Sequence, residues 1–218
     1  MISTLARRRR GRPSLADPSP APDALCLDTA LTAFAERGFE GVSVRDIASA
    51  CGVSHSLLNA KFGSKQGLWA AAVDHGMGGL HRRMTAAPTR LPAGAGVEQR
   101  LRAACIDFLG AVADCPAIVQ LMNVEGARAS ARLDYIVETY FCRLDWPITA
   151  LLREGRASGV FRDVPVTIAF TLLAHGAGAL VALRPLIEAV NGQLKATPAT
   201  LDQTVEMAAD MIVRGLLA

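Results

Sequence analysis

The stretch VRDIASACGVSHSLLNAKF, residues 44–62, decides the fold, because it has the pattern of two short helices joined by a tight turn. Ser43 and Asp46 form an S-x-x-D capping box, which predicts the start of the first helix. Gly52 is placed to end that helix, since glycine tolerates the positive φ of a sharp turn. Ser54 is a good N-cap for the second helix. The stretch therefore predicts a helix-turn-helix of a size that fits a DNA major groove.

Apolar residues at helical spacing predict which sides of these two helices are buried. The residues expected to anchor them to a core are Ile47, Ala48, Cys51, Val53, Leu57, Leu58 and Phe62. The outward face of the second helix then holds small, amide and cationic side chains, namely His55, Ser56, Asn59, Ala60 and Lys61. Such a face suits base edges and phosphates. By itself, however, the pattern fits an ordinary pair of packed helices as well as a DNA-binding pair.

Further helices are predicted on both sides of this stretch. Before it, an apolar stripe predicts a helix from Ala24 to Arg37, with Gly38 just past its end. After it, Ser64 is a suitable N-cap for a fourth helix, whose apolar stripe begins at Leu68. Three short helices followed by a longer one make a unit close to the smallest size that folds alone.

Several short motifs in these helices occur in a fixed order and spacing. They are AFAERGFEGVS at residues 33–43, Ile47-Ala48, Gly52-Val53-Ser54, Asn59 with Phe62, and Gly63-Ser64-Lys65 with Leu68. Together they resemble the DNA-binding domain of the TetR family of bacterial transcriptional regulators, over residues 24–75. The resemblance implies an all-α fold, in which a three-helix helix-turn-helix domain is joined by a long fourth helix to a helical ligand-binding and dimerisation domain.

The resemblance also implies roles for individual residues. The helix from Ser54 to Phe62 would be the recognition helix, and the starts of the helices before and after it would lie near phosphates. Positive helix N-termini suit phosphates independently of the family. The DNA-binding residues implied in this way are Ser43, Arg45, Ser54, His55, Ser56, Asn59, Ala60, Lys61 and Lys65.

The predicted recognition helix departs from its relatives at one point. Many relatives carry a Tyr at position 59 or 60, which contacts the DNA backbone, and a His at position 61. Those positions hold Asn59, Ala60 and Lys61 here. We expect Lys61 to replace part of the tyrosine contact, as a point charge that adds affinity more than positional precision.

The excess positive charge of the chain is concentrated in its N-terminal third. Residues 1–65 hold nine Lys or Arg against six Asp or Glu, whereas residues 66–218 hold fourteen of each sign. The whole net charge of +3 therefore accompanies the predicted DNA-binding unit, as expected for a nucleic-acid-binding surface.

The first 22 residues are predicted to be a disordered basic arm, because they are rich in Arg, Pro and Ala and cannot bury a core. Arg10 and Arg12 lie in an Arg-Gly-Arg-Pro sequence that suits an A·T-rich minor groove. The alternative is a solvated tail that attracts any DNA. The expected domains are thus the arm at 1–22, the helix-turn-helix domain at 23–68, and the ligand-binding and dimerisation domain at 69–218.

Other classes of protein lack support in the sequence. No apolar run follows the N-terminal arginines, so no secretory signal is predicted and a cytoplasmic location is expected. Five scattered cysteines without a C-x-x-C pair are expected to be buried free thiols, with a redox sensor as the alternative. Four widely separated histidines predict no metal site and no cofactor. Because G-x-S-x-G, P-loop and H-E-x-x-H motifs are missing, an enzyme is not expected.

From about residue 95 onward the pattern is helical, without strand-like alternation. An amphipathic stripe runs from Val97 to Val112, and Pro116 opens the next helix. An apolar stripe from Ile136 to Leu152 predicts a longer helix, which Pro147 should kink and Gly159 should end.

The segment Val166–Leu183 contains eighteen residues without a charge. A membrane span is one explanation, but no Trp or Tyr flanks the segment, and a buried dimer helix has the same composition. The last helix is expected to begin at Pro198, with Thr197 as its cap. In TetR-like proteins the last two helices of each subunit form a four-helix dimer interface. The resemblance therefore implies a homodimer through Val166–Val190 and Pro198–Leu217.

TetR-like regulators usually bind a small molecule in the C-terminal domain, and binding moves the fourth helix. Aromatic or polar-tipped residues on otherwise apolar helices are the candidates to contact an apolar or aromatic ligand, with an ordinary core role as the alternative. These candidates are Phe108, Met122, Tyr135, Tyr140, Trp146 and His175. Within the fourth helix, Gly76, Gly78 and Gly79 predict either a flexible hinge or the end of the helix.

The leading hypothesis is a homodimeric repressor that a small-molecule ligand releases from a pseudo-palindromic operator in double-stranded DNA. The alternative is a non-specific or architectural DNA-binding protein, which would not discriminate between sequences.

Overall fold

The computed structural model describes residues 21–86, 91–92, 94–143, 145–194 and 199–218, and within them the fold is built of helices. The sole β-type pairing among these residues is an isolated bridge between Phe161 and Leu217. The helices are α1 (Ala21–Arg37), α2 (Val44–Ala50), α3 (His55–Phe62), α4 (Lys65–Thr85), α5 (Val97–Asp114), α6 (Pro116–Gly126), α7 (Ala131–Ile136), α8 (Pro147–Ala157), α9 (Val166–Thr171), α10 (Gly178–Ala182), α11 (Arg184–Leu194) and α12 (Leu201–Leu216). Two π-helical turns, Val137–Phe141 and Leu172–Ala177, extend α7 and join α9 to α10. The all-α prediction is confirmed.

Serine caps start the N-terminal helices where the sequence predicts them. The hydroxyl groups of Ser43, Ser54 and Ser64 accept the backbone N–H three residues later, at 3.1, 3.2 and 3.0 Å. Each bond satisfies a donor that would otherwise lack a partner in the first helical turn. The reciprocal half of the predicted capping box at α2 is not formed, because the Asp46 carboxylate lies 4.0 Å from the Arg37 guanidinium and does not accept from the Ser43 N–H.

One continuous hydrophobic core runs through both predicted domains. Helix α4 lies at its centre, with Leu68, Trp69, Ala72 and Val73 completely buried. Helix α1 packs against both α4 and α6, so the predicted DNA-binding unit rests directly on the C-terminal helices. The predicted domain boundary between residues 68 and 69 falls inside α4.

The region around Pro147 differs from the prediction. Instead of kinking one long helix, Pro147 begins a separate helix, α8, after the π-helical turn has ended at Phe141. A proline is tolerated in the first helical turn because its missing N–H has no intrahelical acceptor there. The predicted end of this helix near Gly159 is confirmed, since α8 stops at Ala157 and Gly159 has a φ of +74°.

The start of the last helix also differs from the prediction. Helix α12 begins at Leu201, and its N-cap is Thr200, which forms a complete capping box with Gln203. The predicted cap Thr197 and first residue Pro198 lie outside the described residues. The reciprocal bonds of 3.2 and 2.9 Å satisfy two terminal N–H groups together, which favours the later start.

The described residues contain no individual helix with both the length and the hydropathy needed to cross a membrane. Two pairs of helices, each joined at a sharp bend, meet those criteria together by length and composition alone; one of them is Val166–Ala182 with Arg184–Leu194, bent by 70°.

Helix α4 passes unbroken through its three glycines, so the expectation that it ends at Gly76 is wrong. Gly76 is buried where α4 crosses two other helices. A Cβ atom on Gly76 would lie 2.8 Å from Leu31 Cδ2 and 3.2 Å from Ile118 Cδ1, and both of those side chains are fully buried. Gly76 therefore permits a close helix crossing, whereas Gly79 has only the end of the Arg82 side chain nearby, at 4.0 Å.

We expect Gly76→Ala to lower the free energy of unfolding by about 1–3 kcal/mol, because the added methyl group overpacks the crossing with Leu31 and Ile118. Gly79→Ala is the matched control, and it should raise the free energy of unfolding by about 1 kcal/mol through helix propensity alone. Chemical denaturation of both variants measures the difference. Equal stabilisation by the two substitutions would contradict a tight crossing at Gly76.

Candidate nucleic-acid interface and ligand cavity

Helix α3 is anchored by one side and exposed on the other. Leu58 is 3% exposed and packs into the core, with Phe62 and Val53 packed beside it. Of the residues predicted to face outward, Ser56, Asn59, Ala60 and Lys61 are exposed and His55 is half-buried. The structure thus places most of the predicted DNA-contacting residues of α3 on the accessible surface of that helix.

Leu57 was predicted to anchor α3, and this prediction is wrong. Its side chain is 53% exposed and lies on the same side as the polar residues. Side chains at neighbouring positions of a helix point about 100° apart, so only one of Leu57 and Leu58 can point directly into the core. The exposed Leu57 adds an apolar group to the outward surface of α3. Apolar side chains on DNA-contacting helices can contact thymine methyl groups.

Short-range hydrogen bonds organise the polar side chains of α3. Asn59 Nδ2 lies 3.3 Å from His55 Nε2, one helical turn away. The hydroxyl groups of Ser54 and Ser56 are 3.0 Å apart. These pairs link neighbouring polar side chains on the surface of α3.

The two lysines of the motif are both engaged within the protein. Lys61 forms an ion pair with Asp23 of α1. Lys65 Nζ lies 4.5 Å from the centroid of the Phe39 ring and 3.5 Å from the Glu40 carbonyl oxygen. Arg45 is exposed in the first turn of α2, beside the Ser43 cap. The predicted contacts Arg10 and Arg12 lie outside the described residues.

A small apolar cavity of about 40 Å³ lies among the C-terminal helices and α4. Four of the six predicted ligand-contacting residues line it, namely Phe108, Met122, Trp146 and His175. Sequence reasoning missed Phe141 and Phe170, which also line it and whose rings pack edge to face 6.1 Å apart. Both carry an aromatic ring in a helical segment, the same signal that selected Phe108. His175 supplies a polar group, and its Nδ1 donates a hydrogen bond to Asn123 Oδ1 at 2.6 Å.

Tyr135 and Tyr140 do not line this cavity. Both hydroxyl groups instead donate hydrogen bonds to Asp74 Oδ1 on α4, and the Tyr135 bond measures 2.6 Å. Burial, and then the Asp74 carboxylate, raise the pKa of Tyr135 to about 12, and the same causes raise the pKa of Tyr140 further. Both phenols are therefore protonated donors at neutral pH.

The five cysteines are free, as predicted, but the prediction that all are buried is wrong, because Cys51 and Cys115 are half-buried and Cys142 is exposed. Three of the five are poorly suited to ionise. Burial raises the pKa of the Cys105 thiol to about 12. Burial, and then a hydrogen bond and charge from Cys51, raise the pKa of Cys26 to about 11. Burial also raises the pKa of Cys115. Since the thiolate is the reactive form, these side chains behave as small apolar groups.

Comparison with known proteins relates the N-terminal helices to a family. Residues 27–72 match the family model described as bacterial regulatory proteins, tetR family. Over 68 residues the chain is 35% identical to the HTH-type transcriptional repressor ComR of Escherichia coli (strain K12). That match spans 31% of this chain and 30% of ComR, so it concerns the N-terminal part of the fold.

Two solved structures extend the similarity to most of the chain. PfmR from Thermus thermophilus, a TetR family transcriptional regulator, is 24% identical, with a TM-score of 0.58 over 89% of this chain and 96% of PfmR. The fatty acid degradation regulator FadR from Bacillus halodurans is 18% identical, with a TM-score of 0.61 over 91% of this chain and 97% of FadR. The molecule is a helix-turn-helix domain carried on a helical C-terminal domain. Residues 27–72 therefore match the tetR family of bacterial regulatory proteins, and the fold of most of the chain is similar to that of solved TetR family regulators.

The two adjacent leucines of α3 give a matched test of its orientation. We expect Leu58→Ala to lower the free energy of unfolding by about 2–5 kcal/mol, because it leaves a cavity in the core. Leu57→Ala should change it by no more than about 0.5 kcal/mol, since its side chain is exposed. Urea denaturation of both variants measures this, and a similar loss in the two would mean that α3 is rotated from the orientation described.

Proposed function

We propose that the protein is a homodimeric, sequence-specific repressor that binds a pseudo-palindromic operator in cytoplasmic DNA and is released by a small apolar or aromatic molecule. The observation that carries this proposal is the outward surface of α3, where a capped and anchored helix exposes Ser56, Leu57, Asn59 and Lys61 together.

The surroundings of α3 support recognition of DNA. Ser43 and Arg45 lie at the N-terminus of α2, and Lys65 lies at the N-terminus of α4. Oriented N–H groups and cations at helix starts suit phosphate oxygens. Phosphate contacts of this kind fix the position of the protein on the duplex, and base contacts from α3 supply specificity.

Exposed apolar residues on the last helices support a dimer. Ile168 and Leu172 are exposed one helical turn apart on the segment that begins with α9. Met207 and Met211 are exposed one turn apart on α12, and Met211 is 76% exposed. Large apolar side chains exposed to water at helical spacing are typical of a protein interface. These residues fall within the segments Val166–Val190 and Pro198–Leu217, through which the resemblance to TetR-like proteins implies a homodimer.

The apolar cavity supports control by a small molecule. Aromatic rings form much of its wall, and His175 offers a polar contact. This combination suits a mainly apolar or aromatic ligand that has a polar end. Phe108, Met122, Trp146 and His175 remain the proposed contacts, and Tyr135 and Tyr140 are proposed to act through Asp74 instead.

Selection of bound duplexes from random DNA tests the proposal. At near-physiological salt, the protein should enrich a two-fold symmetric motif with half-sites about one DNA turn, roughly 34–36 Å, apart. Asn59→Ala should change the base preference within each half-site while retaining the symmetry, because Asn59 is exposed on α3. Binding without an enriched motif would favour the alternative of a non-specific or architectural DNA-binding protein.

A charge on the proposed dimer surface should separate the subunits. We expect Met211→Lys to convert the dimer largely to monomer at micromolar concentration, because the ammonium group would lose water in an apolar interface. Leu25→Lys is the matched control, since Leu25 is also an exposed apolar residue but lies on α1. Sedimentation velocity measures both, and a Met211→Lys variant that remains dimeric would place the interface elsewhere.

A further inference from the structure

One segment contacts the DNA-binding unit, helix α4 and the cavity. This segment, residues 131–141, consists of α7 and its π-helical turn and is called the α7 strap below. Its first turn carries Arg132, its middle carries Tyr135, and its end carries Tyr140 and Phe141.

We propose that the α7 strap transmits the state of the cavity to the DNA-binding unit, with Tyr140 and Asp74 as the pair of positioning residues through which it acts. This inference rests on the proposed function as a ligand-released DNA-binding regulator. It goes beyond it by naming the connection that carries the signal.

The strap holds α4 by hydrogen bonds to a carboxylate. Tyr135 and Tyr140 both donate to the same oxygen, Oδ1 of Asp74. Hydrogen bonds to an ionised acceptor are stronger than those between neutral groups. Because α4 begins at the DNA-binding unit with Lys65, the position of Asp74 along α4 is tied to the position of that unit.

The other end of the strap contacts the DNA-binding unit directly. The Arg132 guanidinium lies 4.3 Å from the centroid of the Phe39 ring, in the turn between α1 and α2. Its Nε donates to both carboxylate oxygens of Glu125, at 2.9 and 3.1 Å, and Glu125 is buried. Lys65 also lies against the Phe39 ring. Phe39 therefore joins the strap to a proposed phosphate contact.

The strap reaches the cavity through consecutive residues of its π-helical turn. Tyr140 binds Asp74, and the next residue, Phe141, lines the cavity. Trp146 lines the cavity as well, and its Nε1 donates to the Tyr140 carbonyl oxygen at 2.8 Å. Two residues of the cavity wall are thus attached to the backbone of Tyr140, which places its hydroxyl group on Asp74.

The small volume of the cavity determines how a ligand would affect Tyr140. Its volume of about 40 Å³ is far below the roughly 300–1,000 Å³ of typical small-molecule pockets. A ligand must therefore displace the wall in order to enter. Because packed interiors move between discrete arrangements rather than deforming smoothly, displacement of Phe141 or Trp146 should carry Tyr140 away from Asp74.

The experiment fills the cavity from within, so that no natural ligand is needed. Ala174 is buried and lines the cavity, and Ala174→Phe adds a ring there. Operator affinity is measured on the duplex enriched by selection, for this variant in the wild-type and Tyr140→Phe backgrounds. We expect Ala174→Phe to weaken operator binding about tenfold in the wild-type background. In the Tyr140→Phe background, operator binding should already be weak. Ala174→Phe should weaken it little further, because the connection between Tyr140 and Asp74 is already broken.

Tyr135→Phe is the matched control for Tyr140→Phe. It removes the same chemical group from the same acceptor, but Tyr135 has no bond to Trp146 and does not line the cavity. The Tyr135→Phe background should therefore keep most of the tenfold response to Ala174→Phe. Thermal unfolding checks that each variant is folded, and Met122→Trp, at another cavity-lining residue, replaces Ala174→Phe if that variant does not fold.

The possible outcomes separate the inference from the proposed function. A full response to cavity filling in the Tyr140→Phe background would overturn the inference alone, as would the absence of any response in a wild-type protein that binds its operator. A wild-type protein that selects no operator would overturn the proposed function and the inference with it.

Discussion

The burial of helix α4 is the constraint on which the rest of the structure depends. Trp69 and its buried neighbours lie in one core that includes residues of the helix-turn-helix unit and of the C-terminal helices. Gly76 lets α4 approach α1 and α6 closely enough for that core to be continuous. The N-terminal unit is therefore seated on the C-terminal helices through its own interior, and a shift of α4 in one part must be accommodated in the other.

Local signals in the sequence were sufficient for much of the fold. The starts of α2, α3 and α4 were predictable because Ser43, Ser54 and Ser64 act on N–H groups only three residues away. Predictions failed where the outcome depends on distant packing. Pro147 is compatible with either a kink or a helix start, and it is the first residue of α8 in the structure. Likewise, the helical period alone does not determine whether Leu57 or Leu58 meets the core.

The same distinction applies to the candidate sites. The exposed face of α3 follows from its periodicity, so most of its outward residues were identified from sequence. The contacts of Tyr135 and Tyr140 with Asp74 join residues 61 and 66 positions apart, and no spacing rule connects them. Because Tyr135 and Tyr140 combine an aromatic ring with a polar hydroxyl group, the sequence suggested that they line a ligand cavity. Their hydroxyl groups instead bind the Asp74 carboxylate, outside the cavity. The ion pair between Lys61 and Asp23 could not be predicted from local sequence patterns either.

The ion pair between Lys61 and Asp23 affects how strongly DNA binding depends on salt. A free cation that neutralises a phosphate releases a counterion condensed on the duplex, and this release makes affinity depend on salt. Lys61 already has a carboxylate partner, so a phosphate contact there must compete with Asp23, whose negative charge stays close to the duplex. Helix α3 would then add less to the salt dependence of DNA binding than its charge suggests, and the steepness of that dependence would be set by arginines and lysines elsewhere.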